Sequence, residues 1–374
     1  MGELKVLVTG GAGFIGSHLV DALVRGGHRV RVYDNLDPQI HTTRQRRPSY
    51  LRQDIEFIKG DVRDYQSLHK AVRGIDVIFH QAAKVGVGQS MYQIKEYVDV
   101  NISGTANLLD ILVNKKNKVR KLIVAASMSS YGEGAYRCCQ CGPKFPGIRT
   151  DKLGAKGRWE HYCQHCKSEL IPIPTSEGKI LQPNSIYAIT KKVQEEMVMN
   201  IGMAYKIAAV SLRYFNVYGP RQSLSNPYTG VAAIFISRIK NNQPPIIYED
   251  GNQGRDFVSV YDIVQANLLA MTKSEADYEI FNVGTGRAVS VNKIASTLIN
   301  LFGKKTKPKI ANKFRKGDIR HCFADIAKIK NKLGYRPKVP MDGGFKELVD
   351  WSIGEKAVDR FEKAAQELSR KGLL

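Results

Sequence analysis

Tyr187 and Lys191 stand four residues apart in the stretch Ser185-Ile186-Tyr187-Ala188-Ile189-Thr190-Lys191. On a helix that spacing puts both side chains on one face, one turn from each other. A phenol has a reference pKa of about 10 and is a poor base at neutral pH. A nearby ammonium favours the phenolate, and lowering the phenol by ~3 units takes about 4 kcal/mol of differential interaction. The pair is thus a device for taking a proton from a hydroxyl and giving it back. Tyr and Lys also meet at this spacing on many solvated helix faces, so the surrounding elements have to decide.

Residues 122–126 read as a strand that delivers Ser127-Met128-Ser129-Ser130-Tyr131-Gly132 ahead of the Tyr-Lys helix. Ser127 suits a hydroxyl that holds a substrate oxygen beside the phenol, with Ser129 as the fallback. At the other end of the chain, residues 4–8 read as a buried strand. It runs into Thr9-Gly10-Gly11-Ala12-Gly13-Phe14-Ile15-Gly16 and a helix carrying Ile15, Leu19, Val20 and Leu23. A second strand, 29–33, ends at Asp34. A glycine triplet between strand and helix, with an acid at the next strand's end, is a dinucleotide-binding signature. Gly10 permits the turn, Gly13 lets the backbone approach a pyrophosphate at the helix N-terminus, and Gly16 allows close packing. Asp34 would accept from a ribose 2′-hydroxyl and repel a 2′-phosphate, which favours NAD over NADP. Arg44, Arg46 and Arg47 lie farther along and do not sit at the strand end.

Strands continue at 55–58, 76–80 and 208–213, alternating with helices such as 98–113. That order predicts an α/β protein with a doubly wound parallel sheet and ligands at the strand C-terminal ends. Asp61 and Ala82 fall at such ends. After Arg213 the chain should leave the sheet for a smaller lobe holding a helix over 231–240, the turn 282–286, and a helix near 326–333. Arg255 and Arg320 stand out there, because a guanidinium fork suits diphosphate oxygens. The tail from Glu355 reads as an amphipathic helix. The expected division is 1–213 for the nucleotide-binding part, 136–170 for an insertion within it, and 214–374 for the second lobe, with segments returning to the sheet.

The insertion differs in composition. It carries Cys138-Cys139-Gln140-Cys141 and Cys163-Gln164-His165-Cys166, a pair of C-x2-C turns 21 residues apart. Each turn can wrap one side of a tetrahedral ion, and thiolates suit zinc. Cys138, Cys141, Cys163 and Cys166 are the candidate ligands, with His161 and His165 as substitutes and Cys139 as a bystander. Four ligands close the site, so the expected role is structural zinc, not catalysis. Lying between Ser127 and Tyr187, the insert is expected to overhang the pocket. Cys322 stands apart as a small core residue.

Composition narrows the classes. The chain has 374 residues, 43% hydrophobic, enough for a sizeable core. No run of about 18 apolar residues is present, so no membrane span is expected. The N-terminus goes straight into a strand-like run, and a cytoplasmic location is the expectation. Net charge is +22. No long basic block or aromatic-interleaved basic strip accompanies it, which makes nucleic acid an unfavoured partner and a solubilising surface the simpler reading.

Together these pieces resemble the extended short-chain dehydrogenase/reductase family, the nucleotide-sugar epimerases and dehydratases. The likeness rests on the glycine-rich turn, on Ser127 with Tyr187 and Lys191, on Arg213-Tyr214-Phe215-Asn216-Val217-Tyr218-Gly219-Pro220, and on Arg255-Asp256-Phe257. It implies a Rossmann-type domain and a homodimer. It also implies NAD held by Gly10, Gly13, Phe14, Ile15, Gly16, Asp34, Asn35, Asp61, Val62, Ala82, Ala83, Lys84, Asn101, Tyr187 and Lys191. Gln89, Ser127, Asn216, Arg255 and Arg320 would hold a nucleoside-diphosphate sugar. Dehydratases of this family carry an Asp-Glu pair directly after the hydroxyl residue, where this chain has Met128 and Ser129, so elimination is disfavoured. Epimerisation at C4 through a 4-keto sugar is what remains. The cysteine insert, with His80-Gln81-Ala82-Ala83, Gly88-Gln89-Ser90-Met91 and Leu224-Ser225-Asn226-Pro227-Tyr228-Thr229-Gly230, resembles 4-epimerases of dTDP-L-rhamnose, and the general plan resembles those of UDP-hexoses. A 4-ketoreductase or a 2-epimerase would use the same site. A catalytically silent nucleic-acid scaffold is the reading from a different class, and an intact Ser127, Tyr187 and Lys191 speak against it.

Overall fold

The computed structural model describes residues 2–41, 47–149 and 158–374, so Arg44 and Arg46 lie outside the described residues. Seven strands form the main sheet: β1 (Lys5–Thr9), β2 (Arg29–Asp34), β3 (Glu56–Lys59), β4 (Val77–His80), β5 (Lys121–Ser127), β6 (Ala208–Tyr214) and β7 (Glu279–Val283). Their order is β7-β6-β5-β4-β1-β2-β3, with every neighbouring pair parallel. This is a Rossmann-type doubly wound sheet.

Side-chain alternation explains why both faces are covered. Val6, Val8, Ile123, Ala125, Val210 and Leu212 point into one apolar layer with Leu19, Leu23, Ile263 and Ala266. Leu7, Ile78, Leu122, Val124 and Ala209 point into the opposite layer with Leu108, Ile111 and Val198. The sequence pattern does not mark β7 as a strand; it marks only the turn after it. β7 returns from the second lobe to close the sheet edge against β6.

The second lobe has its own core, in which Tyr218, Phe235, Ile236, Phe257, Ile294, Leu298, Phe345 and Leu348 cluster. The strand Asn216–Tyr218 pairs in parallel with Phe257–Ser259, and Gly254–Arg255 pairs antiparallel with Val289–Ser290. These short pairs set Asn216 and Arg255 at the lobe's edge. The insert forms a three-stranded antiparallel sheet from Ala135–Cys138, Gly142–Lys144 and Ile171–Ile173. Among the described residues its apolar centre is small: Tyr136, Cys138, Cys163 and Leu170. Cys322 is buried in the main core.

Candidate active site

Gly10 closes β1 with φ +70°, and a Cβ there would lie 2.7 Å from the Ala82 nitrogen. At Gly16 a Cβ would come 2.2 Å from the Gly10 carbonyl oxygen. Neither position accepts a side chain without moving backbone. Gly13 precedes the helix Phe14–Arg25 and gives it no side-chain cap. The first N–H groups of that helix are therefore left for an anion. Asp34 ends β2, and its carboxylate accepts from Ala12 N at 3.0 Å and Leu36 N at 2.9 Å.

A cavity of about 640 Å³ starts at this turn. It runs past Asp34, Asn35, Asp61 and Val62, then Ala82, Ala83 and Lys84, to Ser127, Tyr187 and Lys191. It ends among Asn216, Arg255 and Tyr248 in the second lobe. Burial pushes the Asp61 carboxyl up, but bidentate donation from Arg63 at 2.9 and 2.8 Å and from Asn35 at 2.9 Å outweighs it. The group is held at about 2.

Ser127 is the last residue of β5, and its Oγ accepts from Ser129 N at 3.2 Å and Ser129 Oγ at 2.8 Å. Ser185 caps the helix Ile186–Tyr205 by accepting from Ala188 N at 3.1 Å. The Tyr187 ring stands edge-on to Tyr97 with centroids 6.4 Å apart. Its N–H donates to Ser90 Oγ at 3.0 Å. The expectation that Lys191 lowers the phenol does not hold for the protein alone. Lys191 Nζ donates to Ala125 O and to Gln194 Oε1, both at 2.7 Å. Burial brings its pKa down to about 7. Burial likewise pushes the Tyr187 hydroxyl up, opposed by its hydrogen bond with Ser127. Two titratable groups in one dry pocket both lean toward their neutral forms.

Three expected ligands sit elsewhere. Asn101 is fully buried behind the cavity wall, where it accepts from Lys84 N at 2.7 Å and donates to Thr190 Oγ1 at 2.9 Å. It ties the loop after β4 to the Tyr187 helix. Gln89 is buried and does not itself line the cavity; it exchanges hydrogen bonds with Gln39, which does, at 2.9 and 3.1 Å and accepts from Tyr97 at 3.2 Å. Arg320 is fully buried, and its guanidinium is spent on Glu160, Glu249 and Asp250. A cation so neutralised has little left for a diphosphate.

The sequence reading missed other residues at the cavity. Arg315 lines it while paired with Asp318 at 2.8 Å. The tail forms the helix Phe361–Arg370, whose Phe361, Ala364, Ala365 and Leu368 also line the cavity, an apolar wall that the amphipathic pattern alone could not locate. His80, at the end of β4, carries no role that its sequence position announces. It bonds Thr9 Oγ1 at 2.8 Å and Thr105 Oγ1 at 3.0 Å, and Thr105 accepts from Gln194 at 2.8 Å. A buried polar chain thus runs from the glycine turn to the lysine.

In the insert the four expected cysteine Sγ atoms lie within 4.8 Å of one another. His161 faces Glu133 Oε2 at 3.1 Å, not the thiols, and Cys139 is exposed. The insert is expected to overhang the cavity, but among its described residues none lines the space; Arg149 and Glu160 instead pair with Glu249 and Arg320 of the second lobe.

Two carboxylates in that contact carry a stability prediction. Burial would raise Glu133, yet His161, the Arg320 N–H at 2.8 Å and the Tyr136 hydroxyl at 2.7 Å hold it at about 2. Burial would raise Glu160 too, but His321 and Arg320 hold it at about 2. Both folded values lie below the unfolded one. Their stabilisation is present above about pH 4.5 and disappears as pH falls toward about 2. Each pKa unit is worth about 1.4 kcal/mol, or roughly 2 °C in midpoint for a chain this large. The melting temperature should therefore fall steeply through that window, and Glu133→Gln should flatten the slope. A native profile already flat there would contradict the assignment.

A model of the family described as "NAD dependent epimerase/dehydratase family" matches residues 6–146 and 165–284. The chain belongs to that family. The break in the match falls inside the cysteine insert. Within the NAD-dependent epimerase/dehydratases, the chain is 32% identical over 370 residues to the dTDP-L-rhamnose 4-epimerase of Burkholderia thailandensis, covering 98% of this chain and 96% of that protein. The crystal structure of UDP-glucose 4-epimerase with UDP-glucose from Thermotoga maritima is 32% identical, covering 93% of this chain and 98% of that one, with a TM-score of 0.76. The Thermus thermophilus UDP-glucose 4-epimerase in complex with NAD is 29% identical, covering 94% and 100%, with a TM-score of 0.74.

Proposed function

We propose that the protein inverts C4 of a nucleoside-diphosphate sugar, with NAD as its resident cofactor. One observation carries this reading: a single cavity joins the glycine turn and Asp34 to Asn216 and Arg255, with Ser127, Tyr187 and Lys191 between them. The glycine turn fits a pyrophosphate, since it brings backbone without side chains to the uncapped N-terminus of the helix Phe14–Arg25 at the cavity. Gly10, Gly13, Phe14, Ile15 and Gly16 would hold it, with Asp34 and Asn35 toward a ribose and Asp61 and Val62 toward the base. Ala82, Ala83 and Lys84 would line the middle, and Lys191 the far ribose. Bound NAD would supply the hydride acceptor and donor that carries C4 through a ketone and back.

The chain's own residues supply the rest. Tyr187 takes the proton of the sugar 4-hydroxyl and returns it, while Ser127 hydrogen-bonds the same oxygen. Asn216 has a buried side-chain oxygen with no hydrogen-bond partner among the described residues, an acceptor left for a ligand donor. Arg255 offers its charge to the diphosphate. Met128 and Ser129 follow the hydroxyl residue, and neither can act as an acid for elimination. Holding the nucleotide firmly and the sugar loosely lets the 4-keto sugar present its other face.

The cysteine cluster suits zinc. A tetrahedral ion with Zn–S near 2.3 Å needs sulfurs about 3.8 Å apart, compatible with four Sγ atoms inside 4.8 Å. Its role would be structural. The family likeness supports a homodimer.

Purified protein, given dTDP- and UDP-sugars without added cofactor, should produce C4 epimers by NMR, with dTDP-L-rhamnose and UDP-hexoses the first candidates. Turnover only with added NADH, with net reduction, would make it a ketoreductase. Inversion at C2 would make it a 2-epimerase.

A further inference from the structure

The insert and the wall of the cavity share one buried ionic cage. Arg149 of the insert donates to Glu249 at 3.0 and 2.6 Å, and both side chains are all but fully buried. Glu249 also accepts from Arg320 at 3.0 Å. Arg320 reaches Asp250 at 2.6 Å and, on the insert side, Glu160 through its Nε at 2.8 Å. Glu160 faces His321 at 2.9 Å as well. Arg149 further donates to the Asp318 carbonyl at 3.4 Å. Residues 318–321 are thus gripped from the insert by Glu160 and Arg149.

That gripped segment is what Arg255 rests on. Its guanidinium donates to the carbonyls of Ile319 at 2.6 Å, Arg320 at 2.8 Å and Gly254 at 2.9 Å. Among the described residues no carboxylate pairs with it. The other arginines of the cavity differ: Arg63 is spent on Asp61 and Arg315 on Asp318. Carbonyl partners orient a guanidinium without cancelling its charge, so Arg255 keeps a full charge for an anion while its direction depends on where 319 and 320 sit.

We propose that Glu160 and Arg149 of the cysteine insert are positioning residues for Arg255, so that the insert sets how tightly the substrate's nucleoside diphosphate is held. This rests on the reading of Arg255 as a diphosphate ligand. Neither insert residue touches the cavity. Losing Glu160 removes one of three carboxylates around the Arg320 side chain and the partner of His321, which loosens the segment carrying the two carbonyls although Glu133 still holds the N–H groups of 320 and 321. Glu160→Gln keeps an acceptor for Arg320 and should retain most of the grip.

The test is a double-mutant cycle on the full-length, NAD-loaded protein, with UDP and dTDP as probes in titration calorimetry. Arg255→Ala should weaken binding of the better probe about 30-fold and Glu160→Ala about tenfold, while the double variant should be no weaker than Arg255→Ala alone. With a turned-over nucleotide sugar, Glu160→Ala should raise KM by the same factor and move kcat by less than about threefold. Glu160→Gln should restore affinity to within about threefold. Additive losses, or undisturbed binding in a cooperatively melting Glu160→Ala protein, would overturn the positioning role alone. If Arg255→Ala leaves affinity unchanged, the diphosphate assignment falls with it. Should Glu160→Ala not fold, Arg149→Lys replaces it in the cycle, with the same non-additivity expected and additivity fatal to the proposal.

Discussion

Tyr187→Phe should cut turnover by about 10³-fold while leaving NAD in place, the size of effect expected when a proton-transfer group is lost. The substitution removes one oxygen and keeps the ring. That ring packs edge-on against Tyr97, and the backbone N–H of residue 187 still reaches Ser90, so folding has no reason to suffer. The hydroxyl's partner is Ser127, whose Oγ also serves Ser129. Without the phenol, the sugar 4-hydroxyl faces a serine with no basic group behind it. Lys191 cannot stand in, because its amine is engaged by the Ala125 carbonyl and Gln194. Measured by single-turnover kinetics, with NAD assayed after denaturation, a loss smaller than about tenfold would move the base elsewhere. Loss of NAD together with turnover would mean that the phenol's main duty is to hold the cofactor.

The same site shows what a one-dimensional reading can and cannot see. The glycine turn, Asp34, Ser127 and Tyr187 are each fixed by local rules: tight turn, strand end, helix period. Those rules carried them to one cavity. The cysteines were equally legible, since metal-binding turns are local in sequence. Arg320 failed because its partners are non-local. Nothing near residue 320 announces Glu160 or Glu249, and a bare guanidinium in sequence looks like a diphosphate ligand until its counter-charges are seen. Gln89 and Asn101 differ from Arg320. Both sit in short helical turns, Val87–Ser90 and Val98–Ser103, where the 3.6-residue period of a long helix is broken, and their side chains are taken up by Gln39, Tyr97, Lys84 and Thr190. β7 was missed because Glu279–Val283 is a short edge strand after a long excursion, with its pairing decided by β6. The apolar face of Phe361–Arg370 was visible as a pattern, yet its target across the cavity was not.

Removing the zinc proposed for the four thiols should have the largest structural consequence. Among the described residues, the cluster around the four thiols adds Tyr136 and Leu170 as buried apolar side chains, with Trp159 buried outside it, which is too little burial to order three short strands. Zinc analysis should find one ion per chain. Chelation, or Cys141→Ser, should open residues 136–149 and 158–170 to limited proteolysis. The Rossmann-type sheet does not depend on those strands: its two apolar layers are built from β1 to β7 and their helices. NAD should therefore stay bound. Opening the insert would release Arg149 and Glu160, stranding Glu249 and Arg320 in a cage short of partners. One partner removed from a buried pair costs about 3–5 kcal/mol, so the second lobe should lose thermal stability in step. Affinity for UDP or dTDP should fall with it, because Arg255 rests on the carbonyls of 319 and 320. A metal-free protein that resists proteolysis and melts unchanged would show that an ion on the four sulfurs does not order the insert, which would need another source of order.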